Sequence, residues 1–296
     1  MKALFLIVNK RCNINCSYCF YNNGHQERSS DFIHKNLSAI FSNKIASLNV
    51  KTVILTGGEP FLKESKKDSF FLIKCLKENG VKVIVNTSGT FLSESDLKKI
   101  IKLGIDRVDI SIDSHIEKIH NKQRARYKDT VFTITKLLSL GYKNISTTTV
   151  VTKDNASSLS QTYKWLKNLG IKDIRFQPVF LPKISKKEKN LIFNSLKNIL
   201  LTNKAEYTEK YIKLIKVIFS GKIAPKKLNC RMGIDYYVCD PKGNIYECFH
   251  KDNIIGNIFD DNIKTIIKNL PKNNKICVGT HCLSLFNNSS FWNYEN

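Results

Sequence analysis

The chain has 296 residues, of which 42% are hydrophobic and 25% charged, the profile of a soluble globular protein with one α/β domain and a small appendage. Its formal charge of +23 comes from 41 Lys and 7 Arg spread along the whole length, without a nucleic-acid-binding motif. That pattern fits a composition bias or an acidic partner, and it argues against nucleic acid as the ligand. No run approaches the roughly 18 apolar residues of a membrane span. The opening MKALFLIVNKRCN lacks the apolar core and cleavage site of a signal peptide, so a cytoplasmic protein is expected.

Short β-branched runs alternate with helical patterns over the first 180 residues. The predicted strands are Ala3–Val8, Thr52–Thr56, Lys82–Asn86, Arg107–Asp113, Ile145–Thr152 and Asp173–Val179. Amphipathic helices are predicted at Asp31–Leu48, Ser93–Leu103, Thr130–Leu140 and Ser157–Leu169. Gly80, Gly104, Gly141 and Gly170 each precede a strand, as helix C-caps do. Six βα units imply a parallel sheet, and six strands are too few for a closed eight-stranded barrel. The expected fold is therefore a partial (β/α)6 TIM-like barrel over residues 1–182, with its site at the C-terminal strand ends. A Lys-rich helical connector covers 183–226. Residues 227–296 form a cysteine-rich C-terminal β-hairpin/helix domain, with a hairpin turn at Asp240-Pro241-Lys242-Gly243.

Nine cysteines, an odd number, in a chain without a signal sequence are not a disulfide scaffold. Cys75 lies in an apolar helical run and reads as core. The other eight fall in two groups. Cys12, Cys16 and Cys19, spaced C-x3-C-x2-C, follow the first strand and place three thiolates at the barrel mouth. Three ligands to a [4Fe–4S] cube leave one iron open. Zinc is the alternative, with His25 or His34 completing a closed site. Further along, Thr56-Gly57-Gly58-Glu59-Pro60 ends the second strand, Asn86-Thr87-Ser88-Gly89 the third, and Val108-Asp109-Ile110-Ser111-Ile112-Asp113 forms the fourth.

On these residues the chain resembles the radical S-adenosylmethionine (SAM) superfamily over roughly residues 3–180. The resemblance implies that Cys12, Cys16 and Cys19 hold the cluster whose open iron chelates SAM. It also implies SAM contacts from Tyr18 (against the adenine), from Gly57, Gly58, Glu59 and Pro60, and from Asn86, Ser88 and Ser111. Ile119-His120-Asn121-Lys122-Gln123-Arg124 is similar to a family stretch whose arginine, here Arg124, pairs with the SAM carboxylate. Asn121 stands where the family usually has Asp.

Cys230-x12-Gly243-x4-Cys248 resembles the opening of the SPASM and twitch extensions of some radical SAM enzymes. The one-cluster twitch form implies a second, auxiliary [4Fe–4S] cluster on Cys230, Cys248, Cys277 and Cys282. Four thiolates would also suit zinc. Cys239 is then surplus, or replaces one of the four, or donates a hydrogen atom to a substrate radical. Phe249 stands where the related epimerases carry a cysteine directly after the hairpin ligand, which weakens the donor reading.

The resemblance implies reductive cleavage of SAM to a 5′-deoxyadenosyl radical that abstracts hydrogen from a substrate, with flavodoxin or ferredoxin as reducing partner. A ribosomally made peptide that is cross-linked, epimerised or oxidised is the first expectation. A small molecule such as an aminoglycoside-like sugar, dehydrogenated or epimerised, is the second. A zinc- or cluster-binding scaffold is the non-enzyme alternative.

Overall fold

Each of the six β-branched runs becomes a strand. In the computed structural model β1 (Ala3–Asn9), β2 (Thr52–Gly57), β3 (Lys82–Thr87), β4 (Arg107–Ser111), β5 (Ile145–Val151) and β6 (Asp173–Pro178) lie in sequence order, every neighbour parallel. The structure describes residues 1–19, 33, 35–179, 184–203, 231–249 and 252–271. Between the strands run α1 (Lys35–Ser47), α2 (Lys66–Glu78), α3 (Glu94–Lys102), α4 (Glu117–Gln123), α5 (Tyr127–Ser139) and α6 (Leu159–Asn168), and α7 (Lys186–Asn203) follows β6. Helix α3 starts where its sequence says it should: Ser93 accepts from the Asp96 amide, and Asp96 answers with its carboxylate, a capping box. The four predicted C-cap glycines all have positive φ.

Among the described residues the sheet stays open, with β6 at one edge, as the partial-barrel expectation requires. On the other side it continues through β7 (Tyr236–Cys239), β8 (Asn244–Tyr246) and β9 (Ile254–Asn257), followed by α8 (Ile263–Asn269). The predicted hairpin is β7–β8, closed by the Gly243 amide donating to the Asp240 carbonyl at 3.0 Å. What periodicity did not reveal is its neighbour. β7 pairs in parallel with β1, Ala3 opposite Tyr236 and Leu6 opposite Cys239, so the hairpin extends the main sheet.

Strand alternation divides the apolar residues between two faces. Leu4, Leu6, Val53, Leu55, Val83, Val85, Val108 and Ile110 point to the helices and form the main core, joined by Phe41, Phe70, Ile73 and Leu76. Phe5, Ile7, Ile54, Val238 and Met232 form a smaller cluster on the inner face. Cys75 is buried on α2, as expected of a core residue. Lys44 on α1 donates to the carbonyls of Phe259 and Asp261, both at 3.0 Å, which ties the β9–α8 connection to the barrel's first helix.

Candidate active site

The C-terminal end of β1 runs directly into the cysteine loop, and the end of β2 is fastened to that loop by backbone bonds. The Gly58 amide donates to the Asn9 carbonyl at 2.9 Å, and the Glu59 amide to the Arg11 carbonyl at 2.8 Å. Asn9 adds a side-chain bond from Nδ2 to the Glu59 carbonyl at 2.8 Å and accepts the Arg11 amide on Oδ1. Only glycine fits at two positions here. A Cβ on Gly58 would stand 1.7 Å from the Arg11 carbonyl oxygen, and one on Gly57, at φ +130°, 2.2 Å from that of Asn9. The close approach these glycines permit is thus to the backbone of the cysteine loop.

Cys12, Cys16 and Cys19 are free thiols on that loop, Cys16 buried and the others partly so. The Cys19 amide donates to the Cys16 carbonyl at 3.1 Å, and the Ser17 amide to the Gln123 carbonyl at 2.9 Å, anchoring the loop to α4. Burial, reinforced by Glu59, pushes the Cys12 thiol up to about 12. Burial also raises Cys16, against the pull of Arg124. Thiols so placed ionise when a bound cation compensates them, which is what iron ligation supplies. Two orphaned amides lie alongside: Asn13 Nδ2, and both ends of the Gln123 side chain, are buried without a hydrogen-bond partner. Three thiols with the spare Asn13 Nδ2 donor next to Cys12 suit a sulfide-bearing cluster, whose sulfurs accept such bonds. Among the described residues no three Cys, His, Asp or Glu side chains converge as ligands of a single ion would.

Glu59 is 1% exposed, and its carboxylate is filled from inside the protein. Oε1 accepts from the Phe61 amide at 3.0 Å and the Thr87 hydroxyl at 2.5 Å. Oε2 accepts from the Ser88 amide at 2.8 Å and the Ser88 hydroxyl at 2.6 Å. Glu59 therefore clamps the end of β2 to the end of β3. From Ser88 the chain of polar contacts continues to the Thr90 hydroxyl at 2.8 Å, to Asn13 Oδ1 at 3.4 Å and to Cys12 Sγ at 3.9 Å. Pro60 is buried and accepts on its carbonyl from Ser69 at 2.6 Å, which fixes the start of α2.

A second knot forms beyond β4, around Asp113, which is fully buried. Its Oδ2 accepts from the Tyr18 hydroxyl and from Arg124 Nε, the latter at 3.2 Å, and its Oδ1 from the Val150 amide at 3.0 Å. The Arg124 guanidinium sits 5.5 Å from the centre of the Tyr18 ring, a cation–π contact. Burial opposes the Arg124 charge, but Asp113 outweighs it and holds the guanidinium above its ordinary value. Burial raises the Tyr18 phenol well above its ordinary value. His120 completes the knot. Its Nδ1 accepts from the Asp113 amide at 3.2 Å, so Nε2 carries the proton and donates to the Ala125 carbonyl at 3.1 Å. Asn121 accepts the Tyr127 amide at 2.9 Å and so caps α5, a task its amide oxygen performs as well as a carboxylate would.

The residues predicted for SAM thus fall into three sets. Tyr18, Gly57, Gly58, Glu59, Pro60, Ser88 and Arg124 cluster around the cysteine loop. Ser111 ends β4, half-buried, its hydroxyl without a partner among the described residues. Asn86 lies one turn of the β3 pleat deeper, on the inner face of the barrel. Cys239 is away from all of them. It stands opposite Leu6 on the helix-facing side of the sheet, fully buried, its thiol raised by that burial. That side is turned away from the inner face of the sheet, where Phe5, Ile7 and Val238 lie. Cys248 follows β8 and packs against the inner-face cluster, beside Phe249. Cys230, Cys277 and Cys282, with His25 and His34, lie outside the described residues. Sequence reading missed Asp113, His120 and Asn9. A period-two run of Asp109, Ser111 and Asp113 in an apolar strand was the available signal for the first.

The family model for the Radical SAM superfamily matches residues 6–192. A protein of Methanocaldococcus jannaschii, itself uncharacterised, is 29% identical over 273 residues, covering 88% of this chain and 90% of its own. A GTP 3′,8-cyclase of Clostridium botulinum is 31% identical over 183 residues, covering 58% of this chain and only 55% of the cyclase. Among solved structures, native anSMEcpe with bound AdoMet and Cp18Cys peptide superposes with a TM-score of 0.66 at 20% identity, covering 90% of this chain and 80% of that one. At that identity the likeness is one of fold.

Proposed function

The chain belongs to the radical SAM superfamily, and from that premise we propose that it modifies a ribosomally made peptide by cross-linking, epimerisation or oxidation. Membership makes it a radical SAM enzyme with a [4Fe–4S] cluster and SAM as cofactors, which together supply a 5′-deoxyadenosyl radical for hydrogen abstraction. The carrying observation is the cysteine loop at the end of β1, zipped to Gly58 and Glu59 at the end of β2.

In this reading Cys12, Cys16 and Cys19 ligate the cluster, and the residues around them hold SAM. Glu59 has no free lone-pair direction in the plane of its donors, so it acts by positioning. It holds the β2 and β3 ends at a fixed distance, leaving the backbone of residues 57–60 and Ser111 to meet the ligand. Arg124, oriented by Asp113, offers its remaining N–H groups to the SAM carboxylate, and the Tyr18 ring covers the adenine side. Residues 1–182 form the catalytic barrel, 183–226 the connector and 227–296 a twitch-type domain. Cys230, Cys248, Cys277 and Cys282 hold its auxiliary cluster, and the inner-face position of Cys248 supports a cluster that looks into the barrel. A cytoplasmic flavodoxin or ferredoxin provides the electron. No helix among the described residues is long and apolar enough to cross a membrane.

The peptide-bound neighbour of the same fold supports a peptide substrate. The cyclase relative favours a second reading, a small-molecule substrate, because its sequence identity is the higher of the two. Anaerobic reconstitution tests the proposal. Roughly eight irons per chain with SAM cleavage supports two cubes. About four irons removes the auxiliary cluster, and bound zinc without SAM cleavage removes the enzyme. Mass spectrometry of short peptides encoded beside the gene, incubated with SAM and reductant, then decides between the substrates.

A further inference from the structure

The barrel has a second chemically distinct region, at the end away from the cysteine loop. A cavity of about 540 Å³ opens among the N-terminal halves of the strands. Phe5, Ile54 and Ile84 give it one apolar wall. Asn86, Arg107, Asp109 and Arg175 add polar groups to its lining, with Lys2 and Lys51.

The polar wall is organised. Asp109 accepts from Arg175 Nη1 at 2.9 Å, from Arg107 Nη2 at 3.4 Å and from the Ser146 hydroxyl, so one buried carboxylate orients both guanidinium groups. Asp173, beside the cavity, also pairs with both arginines, at 3.8 Å for Arg107. Yet the set is unfinished. Arg107 Nε and Asn86 Oδ1 are buried and make no hydrogen bond, although most such atoms in proteins are satisfied. An Asn amide is assigned by its neighbours, and turned over it offers Nδ2 as a second donor beside Nε. The Lys51 ammonium has no partner among the described residues, while Lys2 lies 3.4 Å from Asp235. Of the four cations that line the space, Arg107 and Arg175 share Asp109 and Asp173, and Lys2 pairs with Asp235, which leaves the Lys51 charge uncompensated among the described residues.

We propose that this cavity binds the oxyanionic end, a carboxylate or a phosphate, of the ligand that enters the barrel. Arg107, whose Nε is unengaged, offers a donor to such oxygens, Lys51 adds a point charge at the entrance, and the apolar residues receive the adjoining carbon skeleton. The placement gives the site a purpose. Asp109 and Ser111 alternate along β4, as Asn86 and Ser88 do along β3, and two residues of strand span roughly 7 Å. A ligand anchored at Arg107 would extend along these strands toward the cysteine-loop end. As the anchor of a substrate, the site rests on the radical SAM reading above; as an oxyanion site it does not.

Calorimetric titration of the reconstituted protein with inorganic pyrophosphate and, separately, with glutarate tests it. Saturable binding of either at one site per chain is expected, and the probe that binds identifies the oxyanion. Lys51→Glu, an exposed rim change, should weaken that binding at least tenfold, and Arg107→Gln should do the same. Lys118→Glu, an equal charge change on α4, serves as the control. No saturable binding, or equal weakening by Lys118→Glu, overturns the proposal. SAM cleavage is measured on the same preparation. Cleavage without oxyanion binding defeats this inference alone, and binding without cleavage defeats the proposed enzyme while upholding the oxyanion site.

Discussion

Arg124 Nε donates to Oδ2 of Asp113 at 3.2 Å, with the arginine side chain 11% exposed and the aspartate fully enclosed. The same oxygen takes the Tyr18 hydroxyl, so a residue of the cysteine loop and a residue after α4 are held through one carboxylate. Asp113→Asn leaves the guanidinium buried beside a neutral amide, a change that costs about 3–5 kcal/mol when a buried pair loses one member. Urea unfolding should show that loss. The double variant Asp113→Asn with Arg124→Met should recover a good part of it, because no charge is then stranded. Additive losses would refute the coupling.

Glu59→Gln meets a geometric problem. Whichever way the amide turns, its NH2 faces a backbone amide, either that of Phe61 or that of Ser88, and these donors cannot rotate away. One unsatisfied buried N–H costs about 1–3 kcal/mol. The expected result is a lower urea midpoint and weaker SAM binding. An unchanged midpoint would show that the clamp is dispensable.

Gly58→Ala cannot be accommodated by a side-chain shift, since the nearest atoms are the backbone of Arg11. The β2 end and the cysteine loop must separate. Iron and sulfide per chain after anaerobic reconstitution should fall to a minor fraction of the wild-type content. Full loading would contradict the close packing.

His120 gives stability a pH dependence of known sign. Burial, the larger influence, lowers its folded pKa below the ordinary 6.5, with Asp113 opposing. The unfolded chain then binds more protons than the folded one below about pH 6.5, so stability falls as the pH drops from there through the folded pKa. His115 is also lowered by burial and adds to the slope. Unfolding free energies of wild type and His120→Gln between pH 7.5 and pH 5 should converge at the acid end. A constant difference across that range would remove His120 as the titrating group.

Cys239→Ala should leave product and solvent deuterium incorporation unchanged, because the thiol faces the helices. A change in either would place Cys239 in the reaction after all.

Much of this was legible beforehand, for identifiable reasons. The six parallel strands announce themselves because a strand buried on both faces is a continuous β-branched run. The cysteine loop is legible because its three thiols come from one short stretch. The face of Cys239 was not, since a single residue of register reverses it and only the pairing of Leu6 with Cys239 settles that register. The Asp113 knot joins residues 18, 113, 120, 124 and 150, whose separations carry no local periodicity. Glu59 was read as a ligand-facing carboxylate. Its four internal donors come from residues 61, 87 and 88, and no spacing rule brings those together.

The place of β7 beside β1 has a consequence for the order in which the molecule is completed. As the chain emerges from the ribosome, β1 gains β2 once residue 57 has appeared, but its other edge waits for residues 236–239. Until then the strand that leads into the cysteine loop carries an open row of amides and carbonyls, the kind of edge that recruits wrong partners. The strand that leads into the cysteine loop therefore gains its second neighbour only after all six strands of the parallel run have been made.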